Sequence, residues 1–446
     1  MYSKEIEDYL KKMGIKVGDK VRLKKYDFVI EGILMPRIEV GDPSKLIIKL
    51  DNGYNVGINF EGIVIEKIGE ISAVGKIPKI EITSRKDLPE ISIIGTGGTI
   101  GTHVDYKTGG VYMCRTPEEI LITTPEVLEI VKIKSVERPF TIASEDMTFR
   151  EWKVMAKIIA KELNSGARGL IVTHGTDTLH YSTAALSFML KGLSKPVAIV
   201  GAQRSPDRGS FDGRMNLICA SHFVGYSDIG GVYSVMHGST NDDFCFAIRG
   251  TRVRKLHTSR RNAFKAVNDK PSMKIWPDGR MEKIGDNLVK FEEKEVIVDD
   301  LLEEKVALIK VFPNSDPSII DWFIEKRYKG LVFEGFGLGH LPTSTIKDED
   351  SWLPWIKKAT DKGITIVMTS QTIFGRVHPY VYRNLRLLSQ TGVIYAEDML
   401  PEVAYVKLSW VLGHTKDKEK IKEMMLTSFA GEISPRTNLD SEIKNM

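Results

Sequence analysis

Two short segments of this chain carry the residue types best suited to covalent chemistry. Gly95-Thr96-Gly97-Gly98-Thr99-Ile100 follows the run Ile91-Ser92-Ile93-Ile94, and Thr173-His174-Gly175-Thr176-Asp177-Thr178 follows the run at 169–172. Each apolar run reads as a buried strand, and each glycine-bearing stretch after it as a tight loop where backbone lacking Cβ atoms can lie against a ligand. Open α/β sheets bind ligands beyond the carboxyl ends of their strands. Two loops at that edge of one sheet can face each other across a cleft, so a hydroxyl from each, Thr99 and Thr176, can meet there. A threonine hydroxyl is a poor nucleophile at neutral pH and needs a base and an oriented charge network. Asp177 and a lysine brought from elsewhere supply that network, because burial beside a hydroxyl can lower a lysine pKa enough for it to accept a proton. Lys255, in Arg252-Val253-Arg254-Lys255-Leu256, is the candidate, though composition alone does not separate it from its basic neighbours.

Other readings of these residues are weaker. The spacing Gly95-x-Gly97-x-x-Ile100 lacks the third glycine of a dinucleotide fingerprint, and no Gly-Lys-Ser/Thr of a phosphate-binding loop occurs. His174 reads as a packed core residue rather than a base. Asn241, Asp242 and Asp243 lack metal-ligand spacing and read as a polar turn. The cations Arg249, Arg252, Arg254, Lys255, Arg260 and Arg261 read mostly as a solvated rim.

The elements that must position these groups alternate. After a weak helical pattern at 3–13, short strand-like segments at 21–23, 28–34, 46–50, 54–60 and 62–68, with an Asp51-Asn52-Gly53 turn, predict a small all-β barrel over residues 1–70. Residues 71–89, with Gly75, Pro78 and Pro89, read as its linker. From residue 90 to 275 the rhythm is strand, loop, helix. Strands are expected at 91–94, 140–142, 169–172, 197–201 and 231–236, and helices from about 117, over 148–164 and through 190. Such alternation is the signature of a parallel sheet with helices on both faces. Residues 276–304 read as an interdomain linker. A second α/β unit over 305–433 has strands at 306–311, 330–333, 365–369 and 393–395, and helices at 319–329, 351–362, 401–412 and 416–428.

With 446 residues the chain is too long for one ordinary core. Its 63 Lys and Arg against 59 Asp and Glu leave a net charge of +4, too balanced to indicate a polyanion partner by itself. Cys114, Cys219 and Cys245 form no Cys-x-x-Cys pair, so neither a zinc site nor a disulfide framework is expected, and a reducing cytoplasm fits. A charged amino terminus and the lack of a long apolar run predict a soluble cytoplasmic protein. The scarcity of glutamine, with Gln203, Gln371 and Gln390 alone, beside abundant Lys and Glu matches the bias of proteins that work hot.

Thr96-Gly97-Gly98-Thr99-Ile100 and Thr173-His174-Gly175-Thr176-Asp177-Thr178, in that order, at strand ends and with the lysine segment behind them, resemble the paired threonine motifs of the type I and II L-asparaginase family. The resemblance covers about residues 90–430. It implies a two-domain asparaginase-like parallel-sheet unit in which the nucleophile is Thr99, the second catalytic threonine and aspartate are Thr176 and Asp177, and the lysine is Lys255. It further implies that Tyr112 is the mobile-loop tyrosine and that Ser144 and Glu145, in Ala143-Ser144-Glu145-Asp146-Met147, hold the α-carboxylate and α-amino groups of the substrate. Glu145 stands where glutamine is often seen. Gly98 belongs to the substrate-binding loop, and backbone N–H groups of that glycine-rich loop are suited to an oxyanion. Glu334-Gly335-Phe336-Gly337-Leu338-Gly339 resembles the loop that reaches a neighbouring subunit's site, with Leu338 where a polar residue can occur.

The β-rich segment in front of this unit, and the tail Ala430-Gly431-Glu432-Ile433-Ser434-Pro435-Arg436, most resemble the asparaginase-like subunits of archaeal glutamyl-tRNA(Gln) amidotransferases. This implies an ammonia-generating glutaminase/asparaginase that draws on glutamine or asparagine for conversion of Glu-tRNA(Gln) to Gln-tRNA(Gln). It also implies a homodimeric core within a heterotetramer, and an amidotransferase partner, GatE, that binds the misacylated tRNA and uses ATP and Mg²⁺. No cofactor or metal is then expected on this chain itself, and no membrane contact. A stand-alone L-asparaginase and a non-catalytic amino-acid-binding or docking protein are the competing readings.

Overall fold

The computed structural model of the chain describes residues 2–26, 28–36, 42–52, 54–70, 87–104, 111–113, 124–206 and 208–437. At the amino end, helix Lys4–Lys12 starts at Ser3, whose hydroxyl accepts from the Ile6 N–H, and carries Glu5 and Glu7 in its first turn and Lys11 and Lys12 in its last, as the helix dipole favours. Its buried Ile6 and Leu10 face a five-stranded antiparallel sheet ordered Asn55–Asn59, Lys45–Lys49, Phe28–Leu34, Asp19–Lys25, Val64–Glu70. Alternate residues Val21 and Leu23, Leu46 and Ile48 fill the core beneath the helix. No ladder joins Asn55–Asn59 to Val64–Glu70 among the described residues, so the expected barrel is an open sheet with the helix against its apolar face.

The next unit is an eight-stranded sheet among the described residues. Its order is Met281–Lys283, Met273–Ile275, Cys245–Arg249, Gly231–His237, Pro196–Val200, Gly169–Thr173, Glu90–Gly95 and Lys132–Glu137. The five strands from Gly231–His237 to Lys132–Glu137 are parallel. Gly169–Thr173 and Pro196–Val200 are buried at every position, as central parallel strands must be when both faces are covered. Helices Phe149–Asn164 and Leu179–Met189 pack into one core, and Gly213–Tyr226 and Val127–Ile130 into another. Thr148 and Glu151 form a capping box at the start of Phe149–Asn164.

Three expectations are corrected here. The sheet is mixed, because Cys245–Arg249, Met273–Ile275 and Met281–Lys283 join it antiparallel. The connection from His237 to Cys245 is too short for a crossover and permits only a hairpin. Residues 276–304 are therefore no simple linker, since Met281–Lys283 extends the sheet and Ile297–Val298 pairs with Leu190–Lys191. The strand expected at 140–142 lies instead at Lys132–Glu137, where every residue is half-buried and lysine and glutamate conceal the period; Ile142 makes a single bridge to Gly97. The helix expected from about residue 117 begins outside the described residues, as does Cys114.

The last unit is a four-stranded parallel sheet, Val306–Lys310, Gly330–Gly335, Thr365–Ser370 and Ile394–Tyr395. The helix expected over 319–329 stops at Glu325, because Arg327 turns to φ 59° and the Tyr328 N–H bonds back to the Phe323 carbonyl. Helix Pro401–His414 is buried along most of its length and shares one apolar core with Leu179–Met189 of the preceding unit. Its Lys407 is fully buried and meets Glu432 of the tail at 2.6 Å, while the Glu432 carboxylate also accepts the N–H groups of Phe429 and Ala430. Burial pulls the Lys407 ammonium below its ordinary pKa, and Glu432 opposes that pull. Glu432→Gln leaves the lysine facing a neutral amide, and we expect a loss of about 3 kcal/mol in urea unfolding; a change under about 1 kcal/mol would show that the pair does not hold the tail.

Candidate active site

The two threonine-bearing loops meet because the strands before them run parallel and in register, with Gly95 opposite Thr173. The Thr96 N–H and hydroxyl both donate to the Thr173 carbonyl, at 3.1 and 2.9 Å. Two residues further, a Cβ on Gly98 would lie 2.5 Å from the Gly175 Cα, and Gly98 holds a φ of 81°. Thr99 therefore follows directly on the point where the loops touch. It opens a short 3-10 turn, Thr99–Gly101, and is half-buried. On the other side, a Cβ on Gly175 would strike the Ser144 side chain at 2.7 Å, and one on Gly201 would lie 2.8 Å from Thr176 Cγ2.

Ser144 is buried and pins the second loop from below. Its hydroxyl accepts the Asp177 N–H at 3.2 Å, and its carbonyl accepts the Thr178 hydroxyl at 2.6 Å. A hydroxyl that accepts one hydrogen bond still has its own proton to donate. Lys255 arrives from the short strand Val253–Lys255. Its ammonium lies 2.8 Å from Thr176 Oγ1 and 2.9 Å from Asp177 Oδ1. Thr176 is buried and the Asp177 side chain is 65% exposed, so the ion pair faces inward at the hydroxyl and outward at the carboxylate. Thr176, Asp177, Lys255, Ser144 and Gly98 are thus brought together, with Thr99 beside them. Glu145 lies exposed on the adjoining turn Ser144–Asp146. Tyr112 lies in strand Val111–Met113, which pairs with Thr102–Val104 at the register of His103. Glu334 ends a strand of the last unit 3.9 Å from Lys310, ahead of Gly337 and Gly339, which both hold positive φ.

The surroundings fix the loops rather than react. His174 is fully buried, with Nδ1 2.6 Å from the Gly175 carbonyl, and burial pushes its pKa down to about 4 despite that hydrogen bond. Its neighbour His180 falls to about 3, first by burial and then by the charges of Arg254 and Lys255. Asp242 receives His237 at 3.0 Å and Arg261 at 2.8 Å, and no group of three or more His, Cys, Asp or Glu among the described residues is placed to hold a metal ion. The cationic run is no solvated rim, because Arg252 is buried against Asp398 at 3.1 Å, Arg254 faces Glu402 at 3.3 Å and Arg261 is paired. The tail extends this clamp, since the Gly431 carbonyl accepts from Arg252 and the Ala430 carbonyl from Thr251, just ahead of Lys255 in the chain. Sequence reasoning missed Gly201 and the Asp212 carboxylate, which accepts the N–H groups of Gln203 and Arg204. A third strand ending in glycine at the same edge was the available signal.

A mixed sheet joined to a smaller parallel sheet, with paired threonine loops and a lysine bridging Thr176 and Asp177, defines an asparaginase-type amidohydrolase scaffold. Residues 90–286 match the family model described as "Asparaginase, N-terminal", 305–425 that described as "Glutaminase/Asparaginase C-terminal domain", and 15–68 the "GatD N-terminal domain". Among solved structures, the thermostable L-asparaginase from Thermococcus kodakarensis superposes with a TM-score of 0.69 at 28% identity, covering 78% of this chain and 100% of that one. L-asparaginase I from Vibrio cholerae gives 0.67 at 27%, covering 78% and 99%. Over nearly its whole length the chain is similar to GatD proteins, the asparaginase-like subunits of glutamyl-tRNA(Gln) amidotransferase. It is 51% identical to that of Pyrococcus furiosus, covering 97% of this chain and 98% of that protein, and 46% identical to that of Thermococcus kodakarensis, covering 99% and 100%. The chain belongs to the GatD family of glutamyl-tRNA(Gln) amidotransferase subunits.

Because the charge state of His174 is set by burial, the sign of its pH effect is fixed. Its native pKa lies below the unfolded value near 6.5, so the unfolded chain takes up the proton first and stability falls as pH drops from about 6.5 toward about 4. We expect the His174 ring to stay neutral at pH 5 in an NMR titration; a midpoint near 6.5 would show that the ring is not sealed in the core.

Proposed function

We propose that this chain generates ammonia from the side-chain amide of glutamine or asparagine, as the glutaminase/asparaginase component of a tRNA-dependent amidotransferase that converts Glu-tRNA(Gln) to Gln-tRNA(Gln). The observation that carries the chemistry is the Lys255 ammonium bridging Thr176 Oγ1 and Asp177 Oδ1 on a loop pressed against the Thr99 loop. The amidotransferase setting is supported by the amino-terminal unit, since the asparaginase structures account for 78% of the chain and the Pyrococcus furiosus GatD relative for 97%.

Thr99 Oγ1 attacks the amide carbon and the C–N bond breaks. The hydroxyl proton leaves with the nitrogen, so ammonia departs and an ester to Thr99 remains. Water then adds, the ester C–O bond breaks, and the proton returns to Thr99 as the free acid is released. Backbone N–H groups of the Gly97–Gly98 loop face the oxyanion, Asp177 receives the α-ammonium and Ser144 donates to the α-carboxylate. Thr176 and Lys255 relay the proton or position the water. Tyr112 closes over the substrate and Glu145 assists at its α-amino group. The chain itself carries no cofactor in this scheme; ATP and Mg²⁺ act on the partner, GatE, that holds Glu-tRNA(Gln), with two copies of this chain at the centre of a heterotetramer in the cytoplasm.

Ammonia release from glutamine and asparagine is to be measured for the chain alone and then with GatE, ATP, Mg²⁺ and Glu-tRNA(Gln). A sharp rise with the full set is expected; fast turnover unchanged by the additions would indicate a stand-alone asparaginase. Thr99→Val and Thr176→Val keep shape but remove the hydroxyl, and each is expected to lower kcat by about 10³-fold or more. Activity retained by Thr99→Val would refute the nucleophile assignment.

A further inference from the structure

The turn at Asn52 and Tyr54 of the amino-terminal unit reaches the loop that follows strand Pro196–Val200 at the catalytic edge of the eight-stranded sheet. Tyr54 Oη lies 3.1 Å from Ser210 Oγ, the Arg208 guanidinium sits 5.0 Å from the centre of the Tyr54 ring, and the Asn52 carbonyl accepts the Gly209 N–H at 3.4 Å. The Ser210 hydroxyl and then the Arg204 guanidinium draw the Tyr54 phenol below its ordinary pKa.

Both ends of that loop support the candidate site. At its start, Gly201 packs against Thr176, and the N–H groups of Gln203 and Arg204 are held by the buried Asp212 carboxylate at 2.9 to 3.0 Å. Arg204 Nη1 continues to the Ser259 carbonyl at 2.6 Å, in the segment directly after Lys255. At its end, Phe211, the neighbour of Ser210, packs in the same apolar cluster as Ile100, the residue after Thr99. One loop thus backs the Thr99 side and the Lys255 side of the cleft together, and the amino-terminal unit grips it in the middle.

We propose that Tyr54 is a positioning residue for ammonia release: through Ser210 and Arg208 it holds the 203–212 loop in the arrangement that aligns Thr99 with Thr176 and Lys255. The amino-terminal unit then acts on catalysis within the chain itself, as a brace on the site. This rests on the amide-hydrolysis reading above. Tyr54 contacts no reacting atom, so its loss disturbs alignment rather than substrate affinity. It is exposed to 42%, so its removal leaves the cores of both units intact.

The test compares Tyr54→Ala, Tyr54→Phe and Ser210→Ala with the wild-type chain, in the full complex if turnover requires it. Tyr54→Ala is expected to lower kcat about fivefold with KM within about twofold and an unchanged melting temperature. Tyr54→Phe keeps the ring over Arg208 and is expected to recover part of the loss, as is Ser210→Ala. Hydrogen exchange at the Gln203, Arg204 and Ser210 amides should quicken in Tyr54→Ala while strand Pro196–Val200 stays protected. Wild-type kcat in Tyr54→Ala, or equal kcat and exchange in Tyr54→Ala and Tyr54→Phe, would overturn the proposal. Wild-type chain that releases no ammonia under any condition sinks the amide-hydrolysis reading instead, and the exchange comparison still reports whether Tyr54 holds the loop.

Discussion

The structure depends on one steric constraint: two backbones must touch at Gly98 and Gly175. No side chain fits there, since a Cβ on Gly98 would sit 2.5 Å from the facing Cα. Parallel pairing of Glu90–Gly95 with Gly169–Thr173 sets the height of the two loops, and the absence of side chains sets their separation. Gly175 against Ser144 and Gly201 against Thr176 repeat the arrangement on either side. The cleft is built from backbone, so its donors are fixed before a substrate arrives, which is the condition under which N–H groups stabilise developing charge best.

A second layer secures the lysine. Lys255 lies on a strand of three residues, too short to be rigid alone, and the chain before it is tied to the last unit by Arg252 with Asp398 and by Arg254 with Glu402. Buried ion pairs contribute little net stability against apolar packing, but breaking one leaves a charge stranded, so such pairs fix geometry more than they stabilise. The tail passes through the same cluster and carries the Lys407–Glu432 pair. Domain arrangement and placement of Lys255 are therefore one problem, solved by a shared polar core.

Much of this was legible in the sequence, and the failures have physical causes. The strands at 91–94, 169–172 and 197–201 are buried almost throughout because both faces of the central sheet are covered, and the glycines after them mark the loops. Lys132–Glu137 was hidden because an edge strand exposes part of every side chain and tolerates lysine. The antiparallel edge was missed because strand composition says little about direction, and only the short link from His237 to Cys245 betrays it. Thr99, Thr176 and Asp177 could be read from local pattern. Lys255 could not, since one cation among many is selected only by the fold and needed the family resemblance. The cationic run misled because its partners, Asp398 and Glu402, lie far along the chain.

The most direct measurement is the site of the acyl group during turnover. The chain, with its partner and Glu-tRNA(Gln) where required, is mixed with glutamine or asparagine, quenched in acid and digested for mass spectrometry. The account predicts an ester carried by the peptide that contains Thr99 and absent without substrate. An ester on Thr176, or turnover with no acyl-enzyme under conditions that trap one in a control amidohydrolase, would contradict it.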